Sequence, residues 1–150
     1  METHFRKHRI MKADSDVKKV LVEDGLPKEA LATFHQYENQ TTVNIETLRK
    51  ELGMTSWAVR IAYNDRFGGV VIQQQSGEGN RKHYHPDADE NWVILDGWWE
   101  WWIEGQGTQL VRKGDIIVVP KNTWHKITCT KGPGMRYAIT QPDVEHVYEK

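Results

Sequence analysis

The chain has one cysteine in 150 residues, Cys129, so no internal disulfide can brace it. The disulfide-rich secreted class is excluded, and a reducing, cytoplasmic setting is the expectation. No apolar run approaches the roughly 18 residues that a membrane-spanning helix needs. The opening METHFRKHRI is polar and basic with no apolar stretch behind it, unlike a secretory leader. An excess of one charge sign is missing as well: Lys and Arg number 20 against 21 Asp and Glu, a net charge of -1. That balance supplies no general attraction to nucleic acid or to an anionic membrane surface, and neither is expected as a partner. Internal repeats and low-complexity tracts are also lacking.

What the chain does have is tryptophan: seven in all, four of them between Trp98 and Trp102. Such large amphipathic rings usually build a core, a subunit interface or a ligand platform. The length suits one domain with a proper core. Residues 1–13 carry His4, Arg6, Lys7, His8, Arg9 and Lys12 with little apolar periodicity, and read as a peripheral basic arm. Residues 14–56 read as a helical extension. Asp14 or Ser15 caps a helix with Val17, Val20 and Leu21 on one face, ending near Gly25. Pro27 opens a second helix, as its first residue, through Leu31, Phe34 and Tyr37. A third begins after Asn44, uses Ile45, Leu48 and Leu52, and stops at Gly53. The stretch TVNIETLRKELGMTSWAVR, which contains the third helix, superficially fits a helix-turn-helix. A reading helix after Thr55 would need Trp57, Val59 and Ile61, which alternate as in a strand, and no basic face accompanies them.

From residue 57 to 150 the pattern is β. Segments 57–63, 69–75, 82–85, 91–95, 98–103, 108–112, 115–119, 124–129 and 135–140 are short, rich in Val, Ile, Trp and Tyr, and divided by turn residues such as Asp96-Gly97, Lys113-Gly114 and Gly132-Pro133-Gly134. This predicts a mainly β domain, an antiparallel sandwich or barrel, with the short N-terminal helices packed outside. Alternate strand residues share a face, so His83 and His85 point inward together while Tyr84 points away. The PDAD linker lets Glu90 enter the next strand at the same inward phase, with Trp92 and Ile94 after it. Asp96-Gly97 predicts a two-residue hairpin that pairs Leu95 with Trp98. In that register Trp99, Trp101 and Ile103 face in, and Trp98, Glu100 and Trp102 face out. A distant strand brings His125 at the same inward phase, with Ile127 and Cys129. Three imidazoles and a carboxylate suit one divalent transition metal: Fe(II), Mn(II), Ni(II), Co(II), Cu(II) or Zn(II). Four protein ligands on an octahedral ion leave two positions for substrate, water or dioxygen.

The spacing Gly77, His83, His85, Glu90, Gly97 resembles the first motif of the cupin superfamily, G(X)5HXH(X)3–4E(X)6G, at every fixed position. Gly114, Pro120 and His125 are similar to the second motif, G(X)5PXG(X)2H(X)3N, with Asn122 in place of its glycine and Cys129 in place of its asparagine. Asn tolerates the same turn conformation. The resemblance covers about residues 57–140 and implies a single cupin-type β-jelly roll with His83, His85, Glu90 and His125 as metal ligands. Among the metals it implies iron or manganese first, and Fe(II) is the favoured cofactor.

Around this centre, Arg81 shares phase with His83 and is a candidate for holding a substrate carboxylate or phosphate. Gln73, Trp92, Trp99, Trp101 and Cys129 are further candidates for the pocket wall. Gln75, Arg60, Tyr63, Arg136 and Tyr137 lie on strands whose faces the sequence leaves open. Outward Trp98 and Trp102 need cover, from a homodimer interface or the N-terminal helices. The function expected is a mononuclear metal enzyme acting on a small oxygenated metabolite, a dioxygenase-type oxidoreductase first. A metal-dependent isomerase, lyase or decarboxylase is the alternative, or a non-catalytic sensor that binds a metabolite without turnover.

Overall fold

The fold is that of a computed structural model, which describes residues 12–142 and 144–149. The basic arm expected over residues 1–13 lies almost wholly outside the described residues.

Helix α1 runs Lys12–Glu23, so Asp14 and Ser15 lie inside it rather than capping it. Its C-terminus closes as the sequence predicts. Gly25 takes φ +105°, its N–H donates to the Val22 carbonyl, and the Leu26 N–H reaches back to the Leu21 carbonyl. These two bonds satisfy carbonyls the helix leaves open, and they set Leu21 and Leu26 side by side in the core. The expected second helix is instead a 3-10 segment, Lys28–Leu31, with Pro27 before its first residue. A chain of i to i+3 bonds continues through Phe34, Gln36 and Glu38, tight turns that still bury Phe34 and Tyr37 on the barrel. Helix α2, Ile45–Leu52, starts where the Asn44 side chain accepts the Thr47 N–H at 3.0 Å and stops at Gly53 with φ +87°. No helix among the described residues is long and apolar enough to cross a membrane.

Eight strands come after α2: β1 Trp57–Tyr63, β2 Gly68–Gln74, β3 Gly79–Tyr84, β4 Glu90–Ile103, β5 Gly107–Arg112, β6 Ile116–Val119, β7 His125–Thr140 and β8 Val147–Tyr148. The stretch that a helix-turn-helix would need as its second helix is β1. All pairings are antiparallel, in the order β1-β2-β7-β3-β8, with β4 pairing β5, β6 and β7. The result is a jelly-roll barrel with the helices outside it.

Two long strands replace four expected short ones. β4 joins the segments 91–95 and 98–103, and β7 joins 124–129 and 135–140. The predicted hairpin at Asp96-Gly97 is absent. The chain instead passes through register shifts at Ile94/Asp96, Asp96/Trp98 and Trp98/Trp99 while staying paired to β7. A bulge adds residues without a reversal of direction and so switches which parity faces in, as a hairpin would have done. Glu90, Trp92 and Ile94 are buried before it, and Trp99, Trp101 and Ile103 after it, as the sequence predicted for a different reason. Trp98 and Trp102 are half-buried on the outer side. Guanidinium and ammonium groups lie on their rings, Arg112 at 5.2 Å from Trp98 and Lys82 at 4.9 Å from Trp102.

Gly97 makes the bulge possible. Its φ is +79°, and a Cβ there would lie 2.6 Å from the Gly134 Cα and 2.9 Å from the Lys131 carbonyl oxygen. Both the backbone conformation and the close approach of β4 to β7 exclude a side chain. Gly97→Ala is therefore expected to destabilise the fold by about 1–3 kcal/mol or more, read as a lower urea midpoint with an unchanged slope.

Candidate metal centre

Four buried polar side chains meet at one end of the barrel. β3 delivers His83 inward with Tyr84 turned away against Trp124, ring centroids 4.7 Å apart, and His85 lies directly beyond the strand end. Glu90 opens β4. His125 opens β7, where it pairs with His83 across the sheet. One ligand atom from each of His83, His85, Glu90 and His125 lies within 4.8 Å of the others.

Backbone carbonyls aim the rings. Nδ1 of His83 donates to the Arg81 carbonyl, Nδ1 of His85 to that of Glu145 at 2.8 Å, and Nδ1 of His125 to that of Thr123 at 2.9 Å. A carbonyl can only accept, so each Nδ1 carries the proton and each Nε2 presents a lone pair to the centre. The Glu90 carboxylate stands 2.8 Å from His125 Nε2 and 3.2 Å from His85 Nε2. Yet Oε1 of Glu90 and the Nε2 atoms of His85 and His125 find no hydrogen bond of sound geometry. Lone pairs converging in a buried space repel unless a cation lies among them. Three imidazoles oriented through Nδ1 and one carboxylate form the donor set of a divalent transition metal, so this cluster could hold such an ion.

The protonation states agree. Burial alone would raise the Glu90 carboxyl, but His125 and His85 outweigh it and hold it well below the usual carboxylate range. Burial, and then the neighbouring His125, push the His83 imidazole down to about 2, so it is neutral. At His85 burial is outweighed by Glu90, which raises it.

A family profile described as "Cupin domain" matches residues 70–140, the span that contains all four residues. That segment is a cupin domain. Among curated proteins none matches it significantly. Solved structures share the fold of this cupin. An uncharacterized conserved protein with a double-stranded beta-helix domain from Klebsiella pneumoniae superposes with a TM-score of 0.61 at 16% identity, over 75% of this chain and 94% of that one. A Bacillus halodurans protein gives 0.59 at 21% identity over 75% and 87%. KdgF from Halomonas sp. gives 0.54 at 20% identity over 58% and 80%.

In this cupin a cavity of about 90 Å³ opens beside His83 and Glu90. That is space for several water molecules or a small ligand. Its walls are largely apolar: Val20 and Leu21 of α1, Val70 and Ile72 of β2, Trp92, and Ala138. Of the six residues expected at the substrate pocket, Trp92 lines it. Trp99 and Trp101 are fully buried deeper in the barrel, where they and Trp92 surround the Arg136 guanidinium at 5.0, 5.8 and 4.6 Å. Arg81 turns to the surface, because Asp24 and Glu23 of the α1 terminus pair with it and the Tyr148 ring lies 3.9 Å beneath it. Gln73 lies outside the barrel wall, under α2. It donates to the Gly53 and Thr55 carbonyls and accepts from Arg49 Nε. Cys129 is a buried small residue with Sγ 3.8 Å from the Gln74 carbonyl, and burial pushes its thiol up. Gln75 ties to the Met54 carbonyl, also outside.

Arg60 and Tyr63 line the cavity, the guanidinium 3.5 Å above the ring. Arg136 faces inward, fully buried, donating to Gln74 Oε1 at 2.7 Å, and burial lowers its pKa to about 9. Tyr137 is half-buried on the opposite face of β7. One residue was missed altogether. His146, from the segment after β7, lines the cavity with its ring 4.5 Å from His85 and 5.3 Å from His83. No spacing signals it, since an irregular segment carries it there. Its neighbour Glu145 supplies the carbonyl that aims His85.

The wild-type protein is expected to bind one divalent ion per chain after dialysis against Fe(II) or Mn(II), measured by mass spectrometric metal analysis. Glu90→Ala and His125→Ala should each reduce that stoichiometry to near zero while the far-ultraviolet circular dichroism remains that of a β-barrel.

Proposed function

We propose that this cupin is a mononuclear divalent-metal enzyme that oxidises a small oxygenated metabolite in a dioxygenase-type reaction, with Fe(II) as its metal. The observation that carries the reading is the set of backbone-aimed imidazoles and one anionic carboxylate beside a small cavity whose walls are mostly aliphatic and aromatic. Iron would supply dioxygen chemistry, with coordination positions beyond the four protein ligands for substrate. His83, His85, Glu90 and His125 hold the ion. Trp92, Val70 and Ile72 keep bulk water from the reacting atoms, which strengthens every polar interaction there. Asn80, whose amide is held by Asp24 at 2.6 Å, and Thr140 give the cavity polar edges that orient a substrate oxygen. The same four ligands accept Mn(II), Ni(II), Co(II), Cu(II) or Zn(II).

A second reading has its own observation. His146 lies against the rings of His85 and His83 at the cavity wall, and burial, with His85 next, lowers its pKa to about 4, so its imidazole is neutral. A Lewis-acid metal with a neutral base at the cavity wall suits isomerisation, elimination or decarboxylation.

Oxygen uptake by the Fe(II)-loaded protein across a panel of small hydroxy- and oxo-acids and catechols separates the readings. The dioxygenase predicts substrate-dependent uptake that disappears in His125→Ala. Product formation without oxygen uptake, depressed in His146→Ala, supports the second reading instead. Saturable binding with no product under either condition would reduce both to a sensor.

A further inference from the structure

The bulge that turns Trp98 outward also opens a second cleft, which shares no residue with the metal cavity. It measures about 490 Å³ and is lined by the β4 bulge (Asp96, Gly97, Trp98), the β5 end (Arg112, Lys113), Lys131 with Gly132 and Pro133 of β7, and Met54 after α2. That volume lies within the range of small-molecule sites, roughly 300–1,000 Å³.

Charge and register give the cleft its chemistry. Trp98 is paired with Arg112 on one side and with Lys131 on the other, so an indole stands between two cations in a row across three strands. Directly opposed residues hold their side chains on the same face. Lys113, next in the chain after Arg112, adds a third cation. Arg112, Lys113 and Lys131 are exposed, and none forms an ion pair with a carboxylate among the described residues. The single carboxylate of the lining, Asp96, is already paired with Arg49, which lowers its pKa despite its partial burial. Lys113 also acts on Asp96 electrostatically, and the Arg112 guanidinium lies over the Trp98 ring at 5.2 Å, so three cations against one carboxylate leave the cleft with an excess of positive charge in a chain whose net charge is -1. The rest of the wall is a half-buried indole, a proline and a flexible thioether, surfaces that pack against a flat ring.

We propose that this cleft binds a phosphorylated small molecule that carries a planar ring, of the nucleoside diphosphate class. The phosphates lie among Arg112, Lys113 and Lys131, and the ring packs on Trp98 between Met54 and Pro133. Three cations in one compact cleft match a diphosphate, whereas a polymeric nucleic acid would call for a longer basic track, which the overall charge does not supply.

The test is calorimetric titration of the metal-loaded protein with ADP, with inorganic pyrophosphate and adenosine as the separate halves. Expected are one ADP per chain, binding weaker than ADP for either half alone, and a loss of affinity between about 50 and 200 mM salt. Lys113→Glu/Lys131→Glu, both at exposed positions, should weaken ADP by about tenfold or more. Trp98→Leu should weaken ADP but leave pyrophosphate unchanged. His125→Ala should bind ADP as the wild type does, which separates this cleft from the metal centre whether or not that centre is catalytic. The proposal is overturned if ADP does not saturate at low salt, if pyrophosphate binds as tightly as ADP, if the charge reversal changes nothing, or if ADP binding is lost in His125→Ala.

Discussion

Glu90 is a carboxylate inside a barrel, and most of the architecture around it arises from the need to compensate that charge. A buried ion without partners costs several kcal/mol, and a single neutral hydrogen bond does not offset it. Three histidines surround Glu90, and each must present Nε2, which means each Nδ1 must donate elsewhere. The carbonyls of Arg81, Thr123 and Glu145 accept those protons. The first two lie two residues from the rings they aim, Arg81 within β3 and Thr123 in the turn that leads into β7. The third comes from the segment after β7, and its docking is a condition for the orientation of His85. The centre is thus held by backbone that no substitution of a neighbouring side chain directly removes.

The two long strands make this arrangement rigid. β4 begins at Glu90 and β7 at His125, and they remain paired from Asn91–Ile139 to Ile103–His125. A strand of this length twists strongly, and the bulge near Gly97 lets it keep an inward apolar row on both sides of the bend. Above the bend that row is Glu90 in the centre, Trp92 in its cavity wall and Ile94 in the core. Below it Trp99 and Trp101 enclose Arg136. The same irregularity leaves Trp98 outside between Arg112 and Lys131. One local feature, a glycine with positive φ against Gly134, therefore decides what faces the candidate metal centre and what faces the solvent cleft.

The N-terminal elements complete the inner cavity rather than merely covering the barrel. Val20 and Leu21 of α1 close one wall, and α1 is fastened by the buried Asp24, which holds Asn80 and Arg81 of β3 at once. Arg81 is consequently a structural clasp. From the sequence it looked like an anion ligand, because phase along a strand says which side a residue leaves but not which charge awaits it there.

Strand alternation and motif spacing are local, and for that reason the clustering of His83, His85, Glu90 and His125, the inward Trp92, Trp99 and Trp101, the outward Trp98 and Trp102, and the start of α2 after Asn44 could all be read from the chain. A parity rule holds through a hairpin and a bulge alike, so it gave the right faces at Asp96-Gly97 with the wrong turn. Whatever depended on which distant segments meet was decided by the tertiary structure alone: His146 beside His85, Arg136 inside a ring of tryptophans, Gln73 fastened under α2, and three cations around Trp98. The sequence by itself determined the donors and their phase, because side-chain direction is set by backbone geometry over two or three residues. The identity of their neighbours required the whole fold, because contacts between residues tens of positions apart leave no period in the chain.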